Sequence, residues 1–95
     1  MNKYEILKGK LEIINSYIDK MDIEDGSTNN YLQNYRNYIE KLIIAIDKKT
    51  MRSSNGALLG LIRGISDYDE LCSDEQLWNM VMDADNYYSN ECKEW

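Results

Sequence analysis

An all-α fold, a compact bundle of about four helices, follows from three observations. Apolar residues recur every three or four positions over long stretches. No run alternates with the period of two that a half-buried strand shows. The breaks between periodic stretches are built from Ser, Thr, Asn, Asp and Gly, the residues of helix caps and turns. At 95 residues and 43% apolar content, residues 1–95 make one small domain with a thin core.

The first helix is expected near residues 2–24, because Tyr4, Leu7, Leu11, Ile14, Ile18 and Met21 form a single stripe, widened by Ile6, Ile13 and Tyr17. Asp25-Gly26-Ser27-Thr28-Asn29-Asn30 interrupts it. A second helix follows near 30–49, its stripe Tyr31, Tyr35, Tyr38, Ile39, Leu42, Ile43 and Ile46. Lys48 and Lys49 suit its negative dipole end. The short joint predicts an antiparallel hairpin. Ser53-Ser54-Asn55 is read as the cap of a third helix near 54–65, with Leu58, Leu61, Ile62 and Ile65 inward. Ser73-Asp74-Glu75-Gln76 has the form of a capping box and opens a fourth helix near 74–93. The buried stripe of that helix is Leu77, Val81, Ala84, Tyr88, Cys92 and Trp95.

Two helix faces carry candidate recognition features. Gly56, Gly60 and Gly64 recur every four residues, so on a continuous third helix they would share one face. Each would cost that helix about 1 kcal/mol. Close packing on a neighbour explains such a face, or the outer two glycines marking the helix ends; a notch for a partner is the sharper alternative. On the fourth helix Trp78, Met82 and Asp85 form a strip about 100° from the buried one, at 100° per residue. Trp78 there either completes the core or anchors a partner within a ring of carboxylates.

Charge is distributed unevenly. Residues 53–95 hold Asp67, Asp69, Glu70, Asp74, Glu75, Asp83, Asp85, Glu91 and Glu94 against Arg63 and Lys93 only. Residues 1–52 are nearly balanced. A one-sided negative field attracts basic proteins and repels nucleic acid, so direct nucleic-acid binding is not expected. Cys72 and Cys92 are read as reduced thiols. No secretory pattern follows Met1, and the apolar runs are too short to span a membrane, so a cytoplasmic location is expected.

Catalytic and metal chemistry find little support. There is no histidine to act as general base. Asp67-Tyr68-Asp69 and Asp83-Ala84-Asp85 show the opening of a calcium loop, but after Asp83 only Glu94 fits the later ligand positions. Neither an enzyme, nor a metal site, nor a cofactor is therefore expected.

The acids of 67–75 and 83–94, interleaved with Tyr68, Trp78, Tyr87 and Tyr88, resemble the surface of small acidic helical immunity proteins of bacterial toxin–immunity systems, among them contact-dependent inhibition and other polymorphic toxin systems. The segment Gly64-Ile65-Ser66-Asp67-Tyr68-Asp69-Glu70-Leu71, followed by the capped helix, carries the likeness. The resemblance implies a protein-binding inhibitor that neutralises a basic toxin, a cognate nuclease domain above all. The expected partner surface is Asp67, Tyr68, Asp69, Glu70, Asp74, Glu75, Trp78, Met82, Asp83 and Tyr87. The alternatives are a phage-encoded anti-defence inhibitor that mimics nucleic acid, and a self-associating helical adaptor, for which a homodimer is the expected state.

Overall fold

The computed structural model describes residues 2–21 and 23–93. It is an all-α bundle of five helices: α1 (Lys3–Asp19), α2 (Gly26–Asp47), α3 (Leu61–Ser66), α4 (Asp69–Cys72) and α5 (Glu75–Glu91). The expectations for Glu94 and Trp95 fall outside the described residues.

Side-chain caps set where the long helices begin. Asn2 accepts from the Glu5 amide, Asp25 from Thr28 and Asp74 from Leu77. Asp25 holds both the amide and the hydroxyl of Thr28, at 2.8 and 2.7 Å, so α2 starts at Gly26, four residues before the expected position. The first helix is shorter than expected: α1 ends at Asp19 rather than near residue 24, and Asp25 is extended as the cap of α2. Asp74 caps α5 in place of Ser73, which instead closes α4. A carboxylate accepts these amides more strongly than a hydroxyl does.

The third helix departs furthest from expectation. Residues 53–60 are not helical; Asn55, Gly56 and Gly60 take positive φ values of 49°, 89° and 88°. Only Gly64 lies within a helix, so the three glycines share no helical face. Leu58, expected inside, is 52% exposed. Segment 48–60 runs as a long connection instead, held by hydrogen bonds to its neighbours. Ser54 donates its amide to the Cys92 carbonyl at 2.8 Å and its hydroxyl to the Ser89 carbonyl at 3.1 Å, satisfying acceptors at the end of α5.

Tyrosine hydroxyls lash this connection to α2. Tyr38 donates to the Leu59 carbonyl and Tyr35 to the Leu61 carbonyl, each at 2.7 Å, and Tyr31 donates to the Gly64 carbonyl. The stripe of α2 therefore does two things at once. Its rings pack on the core, and its hydroxyls pair with backbone carbonyls that would otherwise be left in an apolar setting.

The pairing contacts define the topology. Lys8 meets Asp47 and Asp19 meets Arg36, so α1 and α2 are antiparallel. Tyr17 meets Asp74, Lys10 meets Asp83 and Tyr4 meets the Cys92 carbonyl, so α1 and α5 are antiparallel too. The core is Leu7, Leu11, Ile14, Ile18, Leu32, Ile39, Leu61, Ile65, Leu71, Leu77 and Val81 with their neighbours. The expected buried stripes are realised at Tyr4, Leu7, Leu11, Ile14 and Ile18 of α1 and at Leu77, Val81, Ala84, Tyr88 and Cys92, whereas Met21 lies beyond α1 and Ile6 and Ile13, expected to widen its stripe, are exposed. Among the described residues no helix is long and apolar enough to cross a membrane.

Candidate functional site

A groove opens where α3, α4 and α5 converge. It is lined by Ser66, Cys72, Glu75, Trp78 and Asn79 and has a volume of about 590 Å³. Trp78 is half-buried: part of the indole packs on the core, and part lines the groove. Asp67 follows the lining residue Ser66, and the Asp69 carbonyl lies 3.9 Å from the Cys72 sulfur. Glu75 brings a carboxylate to the lining, and Asp67 and Asp69 are exposed on the chain adjoining it. Cys72 is a free, half-buried thiol, and Cys92 is free and buried.

The ten expected partner residues do not form one surface. Asp67, Asp69, Glu75 and Trp78 gather at the groove, with Met82 half-buried one turn beyond Trp78. Glu70 is exposed but lines a separate hollow with Tyr17, Lys20 and Asp74. Asp74 is spent on structure: besides capping α5, it accepts the Tyr17 hydroxyl at 2.7 Å. That bond is the first cause of the rise of the Tyr17 phenol above its ordinary pKa. Asp83 and Tyr87 lie about 140–180° around α5 from Trp78, at 100° per residue. Both face α1, where Lys10 pairs with Asp83 at 2.6 Å and lies 5.2 Å from the Tyr87 ring centre. Tyr68 turns inward and stacks on Tyr31, with ring centroids 4.1 Å apart.

Asp85 is the residue whose role the sequence reading did not see. Expected on the same strip as Trp78, it is fully buried. Its two carboxylate oxygens accept the Leu61 and Ile62 amides at 3.2 and 2.9 Å. Gly60 precedes α3 and has no side chain with which to cap it. An acid from a distant helix does the capping instead. Burial is the main influence on this carboxyl and pushes its pKa up, against the lowering effect of the Ile62, Leu61 and Leu59 amides. A lone acid on an otherwise apolar strip was the available signal.

The fold also sorts charge by end. The α1–α2 joint sits beside the start of α5, where Lys20, Met21 and Ile23 share a hollow with Glu70 and Asp74. At the far end Lys8, Lys48, Lys49 and Arg52 gather around the end of α2. Between Lys48 and Ser66 the chain has no acid; between Asp67 and Asp85 it has no base.

No family model, curated protein or solved structure matches the chain.

Proposed function

We propose that the protein binds and inhibits a basic protein through the groove at α3, α4 and α5, as an immunity protein neutralises a nuclease toxin. The single observation that supports this reading most is a half-exposed Trp78 beside Glu75 in a groove adjoined by exposed Asp67 and Asp69, with no base of the chain between Arg63 and Lys93. An aromatic anchor in a groove contributes affinity, and the surrounding carboxylates select cationic partners and speed encounter. In a nuclease these carboxylates would stand where the phosphates of its substrate bind, or cover the flank of that site.

The bound surface is smaller than the ten-residue set expected from sequence. Tyr68, Asp74, Asp83 and Tyr87 already serve interactions within the fold and Glu70 lines a separate hollow, which leaves Asp67, Asp69, Glu75 and Trp78 as the residues that carry binding, with Met82 at the edge.

Affinity capture from the native cell tests the reading. The wild-type chain is compared as bait with a variant carrying Asp67→Lys, Asp69→Lys and Glu75→Lys. A basic protein retained by the first and lost by the second, and whose activity the wild-type chain suppresses, is the expected result. Identical catches from both baits would reject it.

A further inference from the structure

The groove has a complementary surface on the same molecule. Segment 48–60 carries Lys48, Lys49 and Arg52, all exposed, and no acid. It also presents Leu58, 52% exposed and so one of the least covered apolar side chains described. The segment is well placed rather than loose: Tyr38 grips the Leu59 carbonyl, Tyr88 the Arg52 carbonyl and Ser89 the Gly56 carbonyl. Its cations and apolar residue thus project from an ordered backbone, which lowers the entropy cost of docking. The groove offers the opposite set: Glu75 beside the apolar surface of Trp78, with exposed Asp67 and Asp69 on the adjoining chain.

We propose that segment 48–60 of one copy docks on the acid-rimmed groove of a second copy, so that the protein assembles head to tail. Lys48, Lys49 and Arg52 meet Asp67, Asp69 and Glu75, and Leu58 covers Trp78. The two surfaces differ, so the contact is heterologous: a bound pair still presents one free groove and one free segment. Growth therefore does not stop at a dimer. The contact joins one short segment to one groove, a patch smaller than the ~800 Å² per partner of a standard stable interface. Association is weak, concentration-dependent and sensitive to salt. A basic partner in the groove would compete with it. The inference concerns the chain alone and is tested without any partner, so its failure leaves the inhibitor proposal standing.

Analytical ultracentrifugation of the full chain, from micromolar to millimolar, is the experiment. At low ionic strength the weight-average mass should pass twice the 11.2 kDa monomer as concentration rises. In ~1 M salt, where the Debye length is about 3 Å, it should return to monomer. Two neutralised variants then identify the surfaces: one with Lys48→Gln, Lys49→Gln and Arg52→Gln, the other with Asp67→Asn, Asp69→Asn and Glu75→Gln. Each should remain monomeric alone, with circular dichroism unchanged. Their equimolar mixture should reach twice the monomer mass and stop, because one competent surface of each kind remains. A wild-type chain that is monomeric throughout, or that stops at a dimer, overturns the proposal. So does a mixture that stays monomeric, or either variant associating as the wild type does.

Discussion

Asp85 concentrates more consequence in one side chain than any of the exposed acids. Removing it as Asp85→Ala leaves the Leu61 and Ile62 amides without acceptors, each costing about 1–3 kcal/mol when buried. A loss of about 3 kcal/mol in urea unfolding is expected, large for a domain of this size. The pH dependence has a definite sign. Burial raises the carboxyl pKa in the fold, so the folded state holds the proton more tightly than the unfolded chain. The stability linked to that proton is complete below the ordinary carboxyl pKa and declines as pH rises through the raised one. Asp85→Asn has no such proton, so its unfolding midpoint should fall less than the wild type's from acid to neutral pH. Gly64 gives a second residue-level prediction. A methyl there would come within 2.7 Å of the Tyr35 ring, whose hydroxyl is tied to Leu61. Gly64→Ala should destabilise by about 1–3 kcal/mol through overpacking, although alanine is the better helix former.

At the scale of elements, the legible parts were those governed by local periodicity. The stripes of α1, α2 and α5 could be read because burial repeats with the helical turn, and Leu7, Leu11, Ile39, Leu77 and Val81 are all buried. The third helix misled because Leu58, Leu61, Ile62 and Ile65 keep helical spacing, while the conformation is decided by contacts from elsewhere. Tyr38, Tyr35 and Asp85 take up the carbonyls and amides of residues 59–62, and none of these lies near them in sequence. Gly56 and Gly60 reported backbone geometry at positive φ, not a helix face. The candidate site was legible in part. Trp78 and Glu75 meet at the groove, whereas the partners of Asp74, Asp83 and Tyr68 are long-range and unmarked by spacing. The end of α2 yields a prediction of its own. Lys49 occupies the left-handed position after the helix at φ 59°, and Thr50 and Lys49 return hydrogen bonds to Ala45 and Ile46. Glycine adopts this conformation without the steric cost of a side chain, about 1 kcal/mol. Lys49→Gly should therefore raise the thermal midpoint by a few degrees, measured by circular dichroism.

Taken whole, the molecule presents exposed Asp67, Asp69, Glu70 and Glu75 on adjoining short elements, with no base of the chain between Arg63 and Lys93. Such a field acts on association rates before any contact forms, whereas a packed aromatic acts on how long a complex lasts. The two contributions to the proposed inhibitor are thus separable. With the captured basic partner, reversing Asp67, Asp69 and Glu75 to Lys should lower the association rate by about 10- to 100-fold at low salt. The gap to wild type should close as salt rises, because exposed charges are screened beyond about 10 Å at 0.1 M. Asp83→Lys should change that rate much less: its carboxylate lies around α5 from the groove and is already paired with Lys10. Trp78→Ala should leave the association rate nearly constant and speed dissociation, in a protein that remains folded because only part of the indole is buried. Stopped-flow association and surface-plasmon dissociation measure the two rates independently. Were Trp78→Ala to slow association as much as the charge reversals, the division of labour between rim and anchor would be wrong. An equal effect of Asp83→Lys would move the binding surface to the α1 side of α5.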